Sequence, residues 1–173
     1  MGVLAHKEQI NLTERHIILT EAGLKRIEEE LRELQTVRRH EVADHIRAAK
    51  ALGDVAENPE YETAKTEQAF VEGRILELKN ILNIAHIVDE LDAPTDEVGI
   101  GSIVRVRDLE NDDEWDYTIV GSVEADPLED RISNESPIGE ALLHHRVGDV
   151  VEVDVPDGKA RYEIVRIGRH GES

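Results

Sequence analysis

Residues 53–61, GDVAENPEY, lie between two long helical patterns and decide how these are joined. Asn58 is a favoured N-cap and Pro59 suits the first helical position, so a second helix is predicted to begin here. Two carboxylates, Asp54 and Glu57, fall in the few residues before it. Because so short a connection makes two helices antiparallel neighbours, the sequence predicts a helical hairpin with two acids at its bend.

The segment before the bend has the apolar spacing of a long helix. It contains no proline and one glycine, Gly23. Thr20 suits the N-cap, and Gly53 stands where a helix can end in a left-handed residue. The apolar positions recur at three and four, slip once in the middle and then resume: Leu24, Ile27, Leu31, Leu34, Val37, Val42, Ile46 and Ala49. A helix of about 33 residues, about 50 Å long, is expected.

The segment after the bend predicts a second helix that packs along the first. Its seam positions recur at three and four and include one polar residue: Tyr61, Ala64, Gln68, Val71, Ile75, Leu78, Leu82 and Ala85. This spacing is typical of a coiled-coil seam. The first half of the chain is therefore predicted to be a long, narrow antiparallel coiled-coil hairpin.

The second half alternates between apolar and polar residues, which predicts strands. Strands are expected at residues 102–109, 116–123, 149–155 and 160–167, with a short helix at 136–145. Strands around one short helix indicate a compact domain, so the fold class is α+β. The predicted organisation is an N-terminal extension (1–16), the hairpin (17–91), a linker (92–98) and the C-terminal domain (99–173).

Composition excludes several kinds of site. The chain has no cysteine, so disulfides and thiolate metal sites are excluded. No apolar run approaches the ~18 residues of a membrane span, and the first residues lack a signal-peptide core, so a cytoplasmic protein is expected. The net charge is −19, and residues 92–173 carry 21 acids against 8 lysines and arginines. Such a surface predicts weak or no direct binding to duplex DNA.

The bend itself invites a chemical interpretation. A two-helix hairpin buries little surface but extends far, and Asp54 and Glu57 are spaced so that both can lie on one side of a turn. An exposed carboxylate pair binds Mg²⁺ weakly alone, so it would be half of a metal site completed by a partner. From spacing alone an ordinary role is favoured over the metal role: Asp54 would cap a turn and Glu57 would keep the bend soluble.

The GDVAENPEY stretch resembles the GD-x-x-EN-x-EY signature of the bacterial GreA/GreB transcript-cleavage factors. The similarity extends over residues 17–168 and includes VRR before the bend, EGRI after it and SPIGEALLHHRVGDVVEV near the C-terminus. The acidic balance is closer to GreA than to GreB. The resemblance implies that the coiled coil enters the secondary channel of RNA polymerase and that an FKBP-like C-terminal domain docks on the channel rim. There the factor would stimulate cleavage of backtracked RNA without being an enzyme itself.

The resemblance also implies a role for several residues. Asp54 and Glu57 match the acids that act on a Mg²⁺ ion shared with the polymerase. Lys50 and Lys65 match basic positions beside the tip and are expected to contact the extruded RNA 3′ end. The positions that match the polymerase-docking segment are Glu135, Ser136 and Pro137, where Glu135 replaces the usual Asp or Asn.

Two other functions remain compatible with the sequence. A related inhibitor would occupy the same polymerase channel and block catalysis, although such proteins usually carry a different, more acidic tip. A coiled-coil adaptor would bind separate proteins through its two domains and perform no chemistry, in which case the tip carboxylates would be dispensable.

Overall fold

The computed structural model describes residues 17–53 and 55–171. The predicted extension, residues 1–16, and Asp54 lie outside the described residues. The first described element is a short strand, β1 (Ile18–Thr20), which leads into the first arm of a helical rod. This arm consists of α1 (Glu21–Glu33), a π-helical segment (Leu34–Arg38) and α2 (Arg39–Ala51). After a 3₁₀ turn (Val55–Glu57), α3 (Pro59–Ile84) forms the second arm.

The π-helical segment explains the slip in the apolar pattern. A seam that continued regularly from Ile27 and Leu34 would reach residue 41, but the buried residue is Val42. A π turn accommodates one extra residue, which returns the later apolar positions to the same side of the arm. The expectation of one uninterrupted α-helix was therefore wrong at residues 34–38.

The two arms pack along the predicted seam. Ala64, Val71, Ile75 and Leu78 are all buried, as predicted. Val42, Val71 and Ile75 form a cluster in the middle of the rod. A second cluster at its base contains Leu19, Ile27, Leu78 and Ile81, of which Leu19 and Ile81 were missed. Ala85 lies at the C-cap, one residue beyond the end of α3.

A two-stranded parallel ladder closes the base of the rod. Strand β2 (His86–Val88) follows α3 and pairs with β1, with Ile18 opposite His86. The sequence analysis did not predict either strand, because three residues are too few to show an alternating pattern. The ladder ties the two ends of the hairpin together where they meet the second domain.

The C-terminal domain is a five-stranded sheet with one short helix. The strands are β3 (Ser102–Asp108), β4 (Glu114–Val120), β5 (Arg131–Ser133), β6 (Val150–Val155) and β7 (Gly158–Arg169), in the order β5-β4-β3-β7-β6. All neighbours are antiparallel except β4 and β5.

Helix α4 (Pro137–Leu142) contributes Leu142 to a core that also contains Val104, Val106, Ile119 and Ile164. The four predicted strands and the helix are thus confirmed with shifts of a few residues, and the α+β class is confirmed. Strand β5 was missed. Within the part of the chain that the structure describes, no helix is long and apolar enough to cross a membrane.

Candidate functional site

The Asn58 side chain joins the two arms at the bend. Its amide nitrogen donates to the carbonyl of Ala49 at 2.8 Å, near the end of the first arm. Its side-chain oxygen accepts from the backbone N–H groups of Glu60 at 3.0 Å and Tyr61 at 3.4 Å, which caps the second arm. Asn58 therefore joins the end of one helix to the beginning of the other. The sequence predicted the cap but not the bond to Ala49.

Glu57, the acid of the bend that the structure describes, faces water. Glu57 is exposed and ends the 3₁₀ turn Val55–Glu57. Gly53 has a φ of +134°, a left-handed conformation that glycine adopts without strain, so the predicted helix stop is correct. Leu52 and Val55 are also exposed, by 70% and 38%. Asp54 lies between described residues but outside them, so its place in the site remains a prediction.

The two lysines predicted to flank the tip lie on opposite arms. Lys50 is in the last turn of α2, and its Nζ lies 5.9 Å from the centre of the Tyr61 ring, a cation–π contact. Lys65 is on α3 and donates to the Gln68 side chain at 2.7 Å. Both lysines are exposed. The structure thus places one exposed lysine at the end of the first arm and one near the start of the second.

Ion pairs between the arms brace the rod below the tip. Arg38 bonds Glu67 at 2.9 Å, and the Nδ1 atom of His45 lies 3.0 Å from the other Glu67 oxygen. The hydrogen bond with His45, followed by the charges of His45 and Arg38, lowers the pKa of Glu67. Single surface pairs stabilise little, but pairs that cross the seam fix how the arms are aligned. The sequence analysis did not predict this network.

A similar brace lies closer to the middle of the rod. The Arg39 guanidinium bonds both oxygens of Glu72 at 2.7 Å, which lowers the pKa of the Glu72 carboxyl. Arg74 grips Glu30 in the same bidentate way, at 2.7 and 3.0 Å. A planar guanidinium matches a carboxylate in geometry, so these pairs hold direction as well as distance.

The predicted polymerase-docking residues lie in the other domain, at the start of α4. Ser136 is the N-cap, accepts from the N–H of Gly139 at 3.1 Å and donates to the carbonyl of Ser133 at 2.7 Å. Its side chain therefore holds the loop. Glu135 and Pro137 are exposed on either side of it. The structure brings these three residues together but not to the tip.

Carboxylate oxygens at the tip are the ligand type that Mg²⁺ prefers. Among the residues that the structure describes, no group of three or more His, Asp or Glu side chains is arranged to hold a metal ion. Glu57 is in an open position, from which it can reach a ligand or ion held by another molecule. A carboxylate at this position is the donor type that suits Mg²⁺.

Fold and site together define a class: a two-domain protein in which a braced helical rod extends an exposed acidic turn away from a sheet domain. Two family profiles match the chain. One, described as the N-terminal domain of transcription elongation factors, covers residues 17–87, and the other, described as the C-terminal domain of GreA/GreB transcription elongation factors, covers residues 93–169. The chain belongs to the GreA/GreB family of transcription elongation factors.

Individual relatives agree with this assignment. The chain is 57% identical over 158 residues to transcription elongation factor GreA of Alkaliphilus oremlandii, which covers 91% of this chain and 99% of the relative. It is 53% identical over 152 residues to GreA of Clostridium botulinum strain Langeland, covering 88% and 95%.

Solved structures with similar sequences superpose only loosely. GreA factor homolog 1 of Thermus thermophilus is 33% identical, with a TM-score of 0.38 and coverage of 89% of this chain and 99% of that chain. A GreA/GreB factor from Nitrosomonas europaea is 25% identical, with a TM-score of 0.39 and coverage of 87% and 98%. The family assignment therefore rests on the sequence matches.

Proposed function

We propose that this chain binds RNA polymerase, inserts its helical rod into the secondary channel and stimulates cleavage of backtracked RNA by the polymerase. The observation that carries the proposal is the exposed Glu57 at the end of an internally braced rod in a GreA/GreB family member. Helix α3 alone has 26 residues, so at 1.5 Å per residue the rod reaches about 39 Å. That length carries the tip into a deep channel while the sheet domain stays outside.

In this proposal Glu57 and Asp54 contribute carboxylate oxygens to a Mg²⁺ ion whose other ligands belong to the polymerase. Bound there, Mg²⁺ activates water and stabilises the oxygens of the phosphoryl group undergoing displacement. The chain's own contribution is to deliver two negative groups at a defined place. It is therefore not an enzyme alone, but completes the active site of its partner.

Lys50 and Lys65 have the charge needed to contact the extruded RNA 3′ end. Phosphate groups attract cations, and the two lysines are exposed on either arm close to the bend of an acidic protein. Glu135, Ser136 and Pro137 are proposed to dock the C-terminal domain on the rim of the channel. The Ser136 hydrogen bonds fix the loop shape, so Glu135 and Pro137 supply the exposed contact surface.

The test is RNA cleavage in stalled, backtracked elongation complexes at fixed Mg²⁺. Glu57→Gln keeps the size of the side chain and removes its charge, and should slow stimulated cleavage about 100-fold. Asp54→Asn should have a comparable effect. Glu62→Gln is the matched control, because Glu62 is an exposed acid one turn into α3 and outside the turn.

Each alternative function predicts a different result. Normal cleavage by both tip variants would refute the assigned chemistry. Wild-type protein that slows elongation without cleaving RNA would indicate a channel-binding inhibitor. A wild-type chain that does not bind polymerase would indicate an adaptor.

A further inference from the structure

The base of the rod and the C-terminal domain share a buried carboxylate. Glu124 lies in a 3₁₀ turn after β4, and its side chain is only 3% exposed. One of its oxygens accepts from the backbone N–H of Thr20 at 2.6 Å. The other accepts from the Thr20 hydroxyl at 2.6 Å and from Nη2 of Arg131 at 2.8 Å. Thr20 and Glu124 are 104 residues apart in the chain, so this side chain links the two domains.

These contacts fix direction as well as distance. A buried charge is tolerated only when hydrogen-bonded and paired, and bonds to a charged acceptor are strong and short. Thr20 is also the N-cap of α1, because its hydroxyl accepts from the N–H of Gly23 at 3.0 Å. Glu124 therefore holds the residue from which the first helix of the rod starts, where the helix dipole favours a negative group.

Two glycines allow the domains to approach this closely. A methyl group on Gly23 would lie 2.1 Å from the carboxyl carbon of Glu124, and one on Gly121 would lie 1.9 Å from the carbonyl oxygen of Ile18. Gly23 belongs to the rod and Gly121 to the sheet domain. Each residue must therefore be glycine, because a side chain would collide with the other domain.

A small rotation at this junction is magnified along the rod. Over about 39 Å, a tilt of about 5° moves the tip by about 3 Å. Misplacing a catalytic group by about 1 Å can cost about 100-fold in rate. The buried junction is therefore in a position to control where the exposed Glu57 arrives.

We propose that Glu124 is a positioning residue that, with Gly23 and Gly121, holds the rod at one angle to the C-terminal domain, so that the tip reaches the polymerase's metal site when that domain is docked. The inference rests on the proposed function. Arg131 holds the Glu124 carboxylate in place, since the Arg131 side chain is 8% exposed and its Nη2 donates to Glu124. Glu124 is buried at the base of the rod, far from the tip, so its proposed effect is exerted only through the position of the tip.

The angle can be measured directly because the chain has no cysteine. Spin labels on Ala69→Cys, in the exposed part of α3, and Asp157→Cys, in the exposed β6–β7 turn, report the distance between rod and sheet domain by pulsed electron paramagnetic resonance. The unaltered junction should give one narrow distance distribution. Gly23→Ala and Glu124→Gln should broaden or shift it.

Gly73→Ala is the matched control. Gly73 is also helical, but a methyl group there meets nothing within 4 Å, so the distance should not change. A double substitution that combines Gly23→Ala with Glu124→Ala is a second test. In a Glu124→Ala background, Gly23→Ala should add little further change, because the group that its methyl meets is gone.

Stimulated cleavage should depend on the angle between the rod and the C-terminal domain, and not on the amount of folded protein. At saturating factor, Gly23→Ala and Glu124→Gln should lower stimulated cleavage about tenfold to 100-fold, while their affinity for polymerase changes little. Thermal unfolding of both variants, followed in parallel, identifies any loss of folded protein. Cleavage should remain low at temperatures where circular dichroism shows the variants to be fully folded.

Distinct results would overturn distinct claims. An unchanged distance distribution in Gly23→Ala and Glu124→Gln would overturn the positioning role. An altered distribution with normal cleavage would also overturn it. So would a loss of cleavage that is explained by lost binding or by unfolding. An altered distribution in these variants, together with normal cleavage by Glu57→Gln, would instead overturn the proposed function and leave the structural junction intact.

Discussion

The two ends of the rod are built in opposite ways. At the base, Glu124 is buried, hydrogen-bonded to Thr20 and Arg131, and enclosed by residues that must be glycine. At the tip, Glu57 is exposed in a turn that is joined to the first arm by the Asn58–Ala49 hydrogen bond. Both ends present a carboxylate. The contrast shows that burial makes one carboxylate a structural joint, whereas exposure leaves the other available to a partner.

The braced shaft between the ends connects these roles. Arg39 and Arg74 each form bidentate ion pairs across the two arms. Such pairs resist sliding of one helix along the other. An orientation set at the base is therefore transmitted to the tip, and the parts of the rod should respond differently to substitution.

The largest effect on stability is expected from the apolar cluster at the base. Leu78 is fully buried, so Leu78→Ala should lower the free energy of unfolding by about 2–5 kcal/mol. Leu76→Ala is the control two residues away, since Leu76 is 70% exposed and its truncation should change little. Chemical denaturation of both variants checks this, and equal losses would contradict the observed packing of α3.

At the tip, a smaller effect is expected from Asn58. Asn58→Ala removes both the cap of α3 and the bond to Ala49, and should cost about 1–2 kcal/mol. Asn58→Asp keeps the acceptor and loses the donor, so it should retain the cap and lose only the link between the arms. Thermal unfolding and protease cleavage at the bend would compare them. Identical thermal unfolding and protease cleavage of the two variants would show that the cap of α3, which only Asn58→Ala loses, contributes nothing measurable to stability.

Gly73 provides a stabilising prediction. It lies in the exposed interior of α3 with open space around it, so Gly73→Ala should raise the free energy of unfolding by about 0.5–1 kcal/mol. The corresponding rise in melting temperature is about 1–4 °C. Gly23→Ala gains the same helix propensity but meets Glu124, so it should destabilise. A similar rise for both glycines would contradict the close approach at the base.

The smallest effect is a pH dependence in the shaft. The pKa of Glu67 is lowered in the folded protein, so its contribution is present above its ordinary pKa and is lost as pH falls through the lowered value. Solvent screens this exposed network, so the loss should be slight. Melting temperatures measured between about pH 6 and pH 3 should fall slightly less in Glu67→Gln than in the wild type. A steeper fall in the variant would contradict the assigned sign.

How far the sequence predicts this molecule depends on the range of the interactions. The hairpin, its caps at Thr20 and Asn58, and four of the five strands of the sheet follow from local sequence patterns. The slip near Val42 is visible in the sequence, but only the packed arms show that a π-helical segment absorbs it. The motif singles out the tip acids as candidates, whereas their spacing alone favours an ordinary turn.

The junction at the base could not be predicted. Thr20 and Glu124 are far apart in sequence, and nothing local distinguishes Glu124 from the other acids of a chain that has 39. Gly121 and Gly23 likewise have no turn signature, because their small size is demanded by the opposite domain. Contacts between domains depend on how two finished folds meet, and periodicity carries no information about that.

The central claim is that the tip supplies ligands to a magnesium ion held mainly by another protein. The most direct measurement is the Mg²⁺ dependence of stimulated RNA cleavage, comparing wild type, Glu57→Gln and Glu62→Gln at saturating factor. We expect that Glu57→Gln needs a Mg²⁺ concentration about tenfold or more above that of the wild type for half-maximal cleavage. Glu62→Gln should follow the wild-type curve. A Glu57→Gln curve that coincides with that of the wild type would contradict the central claim.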